Sequence, residues 1–188
     1  MFKKIVISSL IIAFLAMAGG GFYWWQASQP VADLNKSLPS GVKVVKSLFR
    51  RDYTVVNKID GYEFKVPKAW GGIKEMAYVP KENVTGIETT GIGVEGQKGN
   101  ARLLSIDVYF ITQPKFDLAE QAQKIWDFFG FTEALENGSI GSFEVLKARE
   151  DVYLGGTYVY FFGKGNKMYV LNNGSEEFIQ EIILNGKW

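Results

Sequence analysis

The chain has 188 residues, 47% hydrophobic and 15% aromatic, with 21 Gly and a formal charge of +1, a composition that fits a turn-rich globular protein and excludes a disordered one. It contains no Cys and no His. Disulfide staples, thiolate nucleophiles, Ser-His and Cys-His pairs, His-ligated zinc and a near-neutral imidazole base are therefore excluded, which leaves carboxylate, Lys, Tyr or Ser/Lys chemistry.

Residues 1–4 carry Lys3 and Lys4 and read as a cytoplasmic stub. The run 5–25 has no charge and closes on Phe22-Tyr23-Trp24-Trp25. As a helix at about 1.5 Å per residue it would reach roughly 31 Å, so it reads as a single transmembrane anchor that leaves the rest of the chain outside the cytoplasm. The alternative is a signal peptide cleaved after Ala18, because Ala16-Met17-Ala18 before Gly19 has the small-x-small pattern, and the protein would then be secreted. A lipoprotein is excluded for want of a Cys.

Residues 26–52 read as a linker, with Pro30 and the run Ser37-Leu38-Pro39-Ser40-Gly41 marking loop. Six basic residues lie between Lys36 and Lys58 against the single acid Asp52. Lys43, Lys46, Arg50 and Arg51 are thus candidate contacts for anionic lipid headgroups, or else the ordinary lysines and arginines of a solvated linker. From Ile59 onward acids outnumber bases by five, which argues against nucleic acid as a partner.

Residues 53–188 read as one domain. Tyr53–Ile59 and Tyr62–Pro67 form a hairpin across Asp60-Gly61, a two-residue type I′ signal. Gly86–Glu95 and Arg102–Ile111 form a second pair, in which Leu104, Ile106, Val108 and Phe110 share the core face and Asp107 lies on the other. Asp107 is an acid mid-strand among hydrophobes, so it is paired, partly exposed or functional. A helix begins at the cap Asp117, with Glu120 completing a capping box, presents Leu118, Ala122, Ile125 and Phe129 as a stripe, and stops at Gly130. Strands follow at Phe143–Arg149, Gly156–Phe162 and Lys167–Asn172, and a last helix runs from Ser175 to Asn185. The order predicts an α+β fold: one antiparallel sheet of five to seven strands flanked by helices, behind the transmembrane helix.

Phe64-x-Val66-Pro67-x-x-Trp70 after the first hairpin, the mid-chain helix, the aromatic strand pair and the closing Phe178-Ile179-x-x-Ile182-Ile183 resemble the PsbP-like fold over residues 53–188. That family includes a photosystem extrinsic subunit, a nuclear Ran-binding relative and small bacterial exported proteins. The resemblance implies an α-β-α sandwich and a non-catalytic role in binding or assembly. It carries no metal site over, since metal-binding members use His.

Other motifs are ordinary. Gly91-Ile92-Gly93-Val94-Glu95-Gly96 spells G-x-G-x-x-G without the following helix that a dinucleotide needs. Asn83, Asn137 and Asn173 each begin an N-x-S/T triplet that turn chemistry explains equally well. The expectation is a membrane-anchored, extracytoplasmic, non-catalytic binding or assembly-factor domain with a protein partner at the membrane and no cofactor. The alternative is a carrier of small apolar ligands or lipids, with a pocket near Trp70 and the Tyr158–Phe162 strand, and the third reading is an enzyme working without His or Cys. Trp70, Trp126, Tyr158, Tyr160 and Trp188 are the candidate contact residues.

Overall fold

The computed structural model describes residues 31–47, 52–66, 68–97, 103–113, 116–150 and 156–188. Among these residues ten strands make two antiparallel sheets. The smaller has the order β1(Val42–Lys46), β2(Tyr53–Asn57), β3(Tyr62–Lys65). The larger comprises β4(Ile73–Val84), β5(Ile87–Gly96), β6(Leu103–Phe110), β7(Glu136–Ile140), β8(Phe143–Glu150), β9(Thr157–Lys164) and β10(Lys167–Asn172), in the spatial order β4-β5-β6-β10-β9-β8-β7. Helices α1(Leu118–Phe128) and α2(Glu176–Asn185) complete the fold, with a 3-10 turn at Lys68–Trp70 and a helical run at 31–36.

These observations correct the expected architecture. A single sheet of five to seven strands flanked by helices, the PsbP-like sandwich, gives way to two sheets and a mostly β protein. The reason lies in strands that sequence alternation hides. Val42–Lys46, in the basic linker stretch, alternates Val42 and Val44 inward with Lys43 and Val45 outward and pairs with β2 in full register. β4 and β7 are the outer strands of the large sheet and bury few residues. The two-residue turn at Asp60-Gly61 is likewise a four-residue one, Lys58–Gly61. Asn57 accepts from the Asp60 backbone N–H at 3.0 Å and donates to Asp60 Oδ2, while Gly61 takes the positive φ of +77°.

The membrane description is corrected as well. No helix of the described residues is long and apolar enough to cross a membrane, and α1 and α2, of 11 and 10 residues, reach only about half of a hydrocarbon core of roughly 30 Å. The run 5–25 expected to span lies outside the described residues.

The large sheet separates two apolar layers, as the period-2 alternation of its strands requires. On one face Ile92, Val94, Leu104, Ile106, Val108, Tyr160, Phe162, Tyr169 and Leu171 pack with Val44, Val55 and Phe64 of the small sheet and with Ile179, Ile182 and Ile183 of α2. On the other face Tyr109, Leu146, Ala148, Val159, Phe161, Met168 and Val170 pack with Ala122, Ile125 and Trp126 of α1. The second layer has the smaller cover. Among the described residues one 11-residue helix, packed chiefly on β8 and β9, covers this face of a seven-stranded sheet, and a cavity lies beside it.

Candidate functional site

α1 is placed by its own chemistry. Asp117 takes the N-cap position and its Oδ1 accepts from the backbone N–H groups of Ala119 at 2.9 Å and Glu120 at 3.1 Å. Glu120 directs its carboxylate to Lys124, four residues on, at 2.6 Å. Beyond the helix, Gly130 turns the chain with φ +75°, so that Phe131 lies tilted against the Trp126 ring at 4.4 Å between centroids. Trp126 Nε1 donates to the Glu133 carbonyl at 2.8 Å. Trp126 therefore fixes helix, turn and following segment together, and it is only 1% exposed although it falls off the principal stripe.

Between α1 and the strands β4, β5, β6, β9 and β10 lies a cavity of about 450 Å³. Its apolar wall is formed mainly by Ile125, Trp126, Phe131, Val159, Phe161 and Val170. Phe129, half exposed, stands at its edge beside the exposed Phe128, whose ring it meets edge-on at 5.2 Å. The lining also holds the polar residues Glu82, Thr89, Asp107 and Asn172 from the sheet. This size and this mixture of a continuous apolar surface with a few convergent polar groups are those of small-molecule sites.

Asp107 is the distinctive group. Its register partners are Gly91 on β5 and Val170 on β10, so all three point to the cavity face. A Cβ at Gly91 would stand 2.6 Å from Asp107 Oδ1, which means that the missing side chain on β5 is the space the carboxylate occupies. Burial, the main cause, pushes the Asp107 carboxyl up from its ordinary 3.8 to about 6; hydrogen bonds from Ser105 and Asn172 oppose the rise, and the charge of Glu82 adds to it. The Ser105 hydroxyl donates to Oδ2 at a long 3.4 Å. No ion pair joins Asp107 to a described Lys or Arg. The cavity lining holds two acids and no base, the remaining titratable group being Tyr109, whose hydroxyl burial pushes upward.

The sequence-derived candidates are dispersed. Trp126 lines this cavity. Trp70 is 1% exposed, edge-on to Phe178 at 5.6 Å, with Nε1 buried and without a hydrogen-bond partner. Trp70 and Tyr158 line a different depression of about 760 Å³ at the first turn of α2, where Glu176, Glu177 and Glu181 also stand. Tyr160 is buried on the inner face and donates its hydroxyl to Glu176 at 2.8 Å; burial pushes that hydroxyl up to about 12. Lys147 reaches the same Glu176 oxygen at 3.0 Å, so this carboxylate is already held by the protein. Trp188 packs on Tyr62, Phe162 and Tyr169 and donates to the Ile183 carbonyl at 3.1 Å. Lys43 is exposed on β1, Lys46 lies over the Tyr53 ring at 5.5 Å, and Arg50 and Arg51 lie outside the described residues.

No family model, curated protein or solved structure matches this chain. Its function has to be read from the cavity itself. Among the described residues no three carboxylates converge as a metal site would require. The G-x-G-x-x-G run is the C-terminal part of β5, where Gly91 makes room for Asp107. What the sequence reading missed is the partnership of Asp107 with Gly91 and Glu82. The available signal was the pairing of an acid mid-strand with a glycine-rich neighbouring strand.

Proposed function

We propose that this domain is a non-catalytic binding module for small, largely apolar molecules, which it holds between α1 and the large sheet. The observation that carries this reading is the cavity of about 450 Å³ lined by Trp126, Phe131, Phe161 and Val170 together with a few polar groups. Enclosing a ligand there removes its apolar surface from water, at about 25 cal/mol per Å² buried. A close-packed interior would leave no such space.

A second reading, an assembly surface for a protein partner, is favoured by Phe128 and Phe129, which are 58% and 48% exposed side by side at the end of α1. One substitution separates the two. Val79 lines the cavity from the edge strand and is 42% exposed, so Val79→Trp plugs the cavity without entering the core and leaves the Phe128-Phe129 surface unchanged. Titration of the full chain with n-decanol in a calorimeter should give saturable one-to-one binding that V79W abolishes at unchanged melting temperature. Equal binding by V79W, or none by the unmodified protein, would refute the cavity as the site.

A further inference from the structure

The cavity has an end with a charge preference. Of the groups that line it, those on the sheet side include two carboxylates, Asp107 from β6 and Glu82 from β4, and the lining contains no Lys or Arg. α1 and its C-cap present Ile125, Trp126 and Phe129 to it, all neutral. β5 and β10 present Thr89, Gly91, Val170 and Asn172, which offer hydroxyl, carbonyl and amide groups but no cation. A half-buried carboxylate without a counter-ion is a costly arrangement, and a cationic ligand would relieve that cost. The site is also built for the acid rather than merely tolerant of it. Gly91 leaves the volume into which Oδ1 is set, and any side chain there would displace it.

From this we infer, resting on the cavity reading above, that the occupant is an amphipathic cation: an apolar body against Trp126, Phe131 and Phe161, and a protonated amine set between Asp107 and Glu82. Fatty acids and other anionic amphiphiles of the same size are rejected, because their head would meet two carboxylates and no cation. An amine head donates hydrogen bonds to Asp107 and finds further acceptors in the carbonyl of Asn172 and the hydroxyl of Thr89, which an alcohol uses only in part. The aromatic wall suits the same charge, since ring faces attract cations. The recognition is thus a difference between heads on one tail.

The test uses three probes with one chain length, n-decylamine, n-decanol and n-decanoate, each below its aggregation concentration, titrated at pH 7.5 into the full chain and into Asp107→Asn. The amine should bind at least about tenfold more tightly than the alcohol, as expected for a hydrogen bond to a charged partner, and decanoate more weakly than both. In D107N the amine should lose that advantage while the alcohol is unchanged. Glu82→Gln, at an exposed position, should weaken the amine by a smaller factor and decrease its salt dependence. If alcohol and amine bind equally, or D107N leaves their ratio intact, the charge preference is wrong although the cavity stands. If none of the three binds, the cavity reading falls and this inference with it. The same variant guards against a folding artefact, because D107N removes a buried charge and its binding of decanol reports an intact cavity.

Discussion

Replacing Asp107 by Asn should make the protein more stable at neutral pH, and the size of the gain follows from the displaced titration. The carboxyl goes from an ordinary 3.8 to about 6, mainly through burial, and each pH unit of displacement is about 1.36 kcal/mol, or roughly 3 kcal/mol in all. The group retains partial contact with solvent, which reduces the expected effect to about 1–3 kcal/mol. The sign is set by proton binding. Between pH 3.8 and 6 the folded state keeps a proton that the unfolded state has released, so stability falls as pH rises through that window and the whole cost is present above it. Asn has the same shape and no charge. The difference between variant and parent should therefore be close to zero below pH 4, grow to pH 6 and level off beyond. Urea unfolding followed by tryptophan fluorescence from pH 3.5 to 8 measures it. A variant less stable than the parent at pH 7.5, or a difference independent of pH, would show that Asp107 is a structural partner rather than an uncompensated charge.

Two further outcomes are expected. Trp126→Ala should cost about 3–5 kcal/mol, the range for deleting a buried Trp, whereas Trp126→Phe should cost about 1–3 kcal/mol by leaving the Glu133 carbonyl without its donor; chemical denaturation separates them. Glu176 behaves oppositely to Asp107: Lys147 first, then Tyr160, hold its carboxyl below the ordinary 4.5. Its contribution is present above that pH and lost as pH falls through the lowered value, so Glu176→Gln should flatten the acid side of the stability profile measured by thermal unfolding between pH 2 and 5.

Elements with local chemistry were legible in the sequence. α1 is announced by Asp117 and by the stripe through Ala122 and Ile125, β6 by apolar alternation, and β9 and β10 by continuous apolar runs. Outer strands were not. β4 buries only Ile73 and Met76 fully among twelve residues, and β7 only Ile140, because each has a neighbour on one side alone and alternation weakens where cover ends. β1 was masked by its lysines, which face outward and say nothing about pairing. Trp126 lies off the stripe through Ala122 and Ile125 and is buried all the same. A regular stripe assumes one flat partner, but the chain returns past α1 through Gly130 and covers a second arc with Phe131 and Glu133. Asp107 was recognisable as unusual from its neighbours in sequence, yet its surroundings come from β4 and β5, whose register no local pattern encodes.

The break in register between Val79 and Glu82 has a consequence for the protein's behaviour in a crowded solution. β4 is an outermost strand twelve residues long, and a straight strand of that length would offer a ladder of free backbone groups to any passing chain. Pro80 removes one donor from that ladder, and the bulge in which Pro80 and Lys81 lie opposite Thr90 bends the rest out of line, with Lys74, Glu75 and Lys81 adding charge along it. The same bend brings Glu82 onto the cavity face. Resistance to sheet-to-sheet aggregation and the acidity of the cavity mouth thus depend on one irregularity, and a sequence drifting toward a more regular β4 would give up both at once.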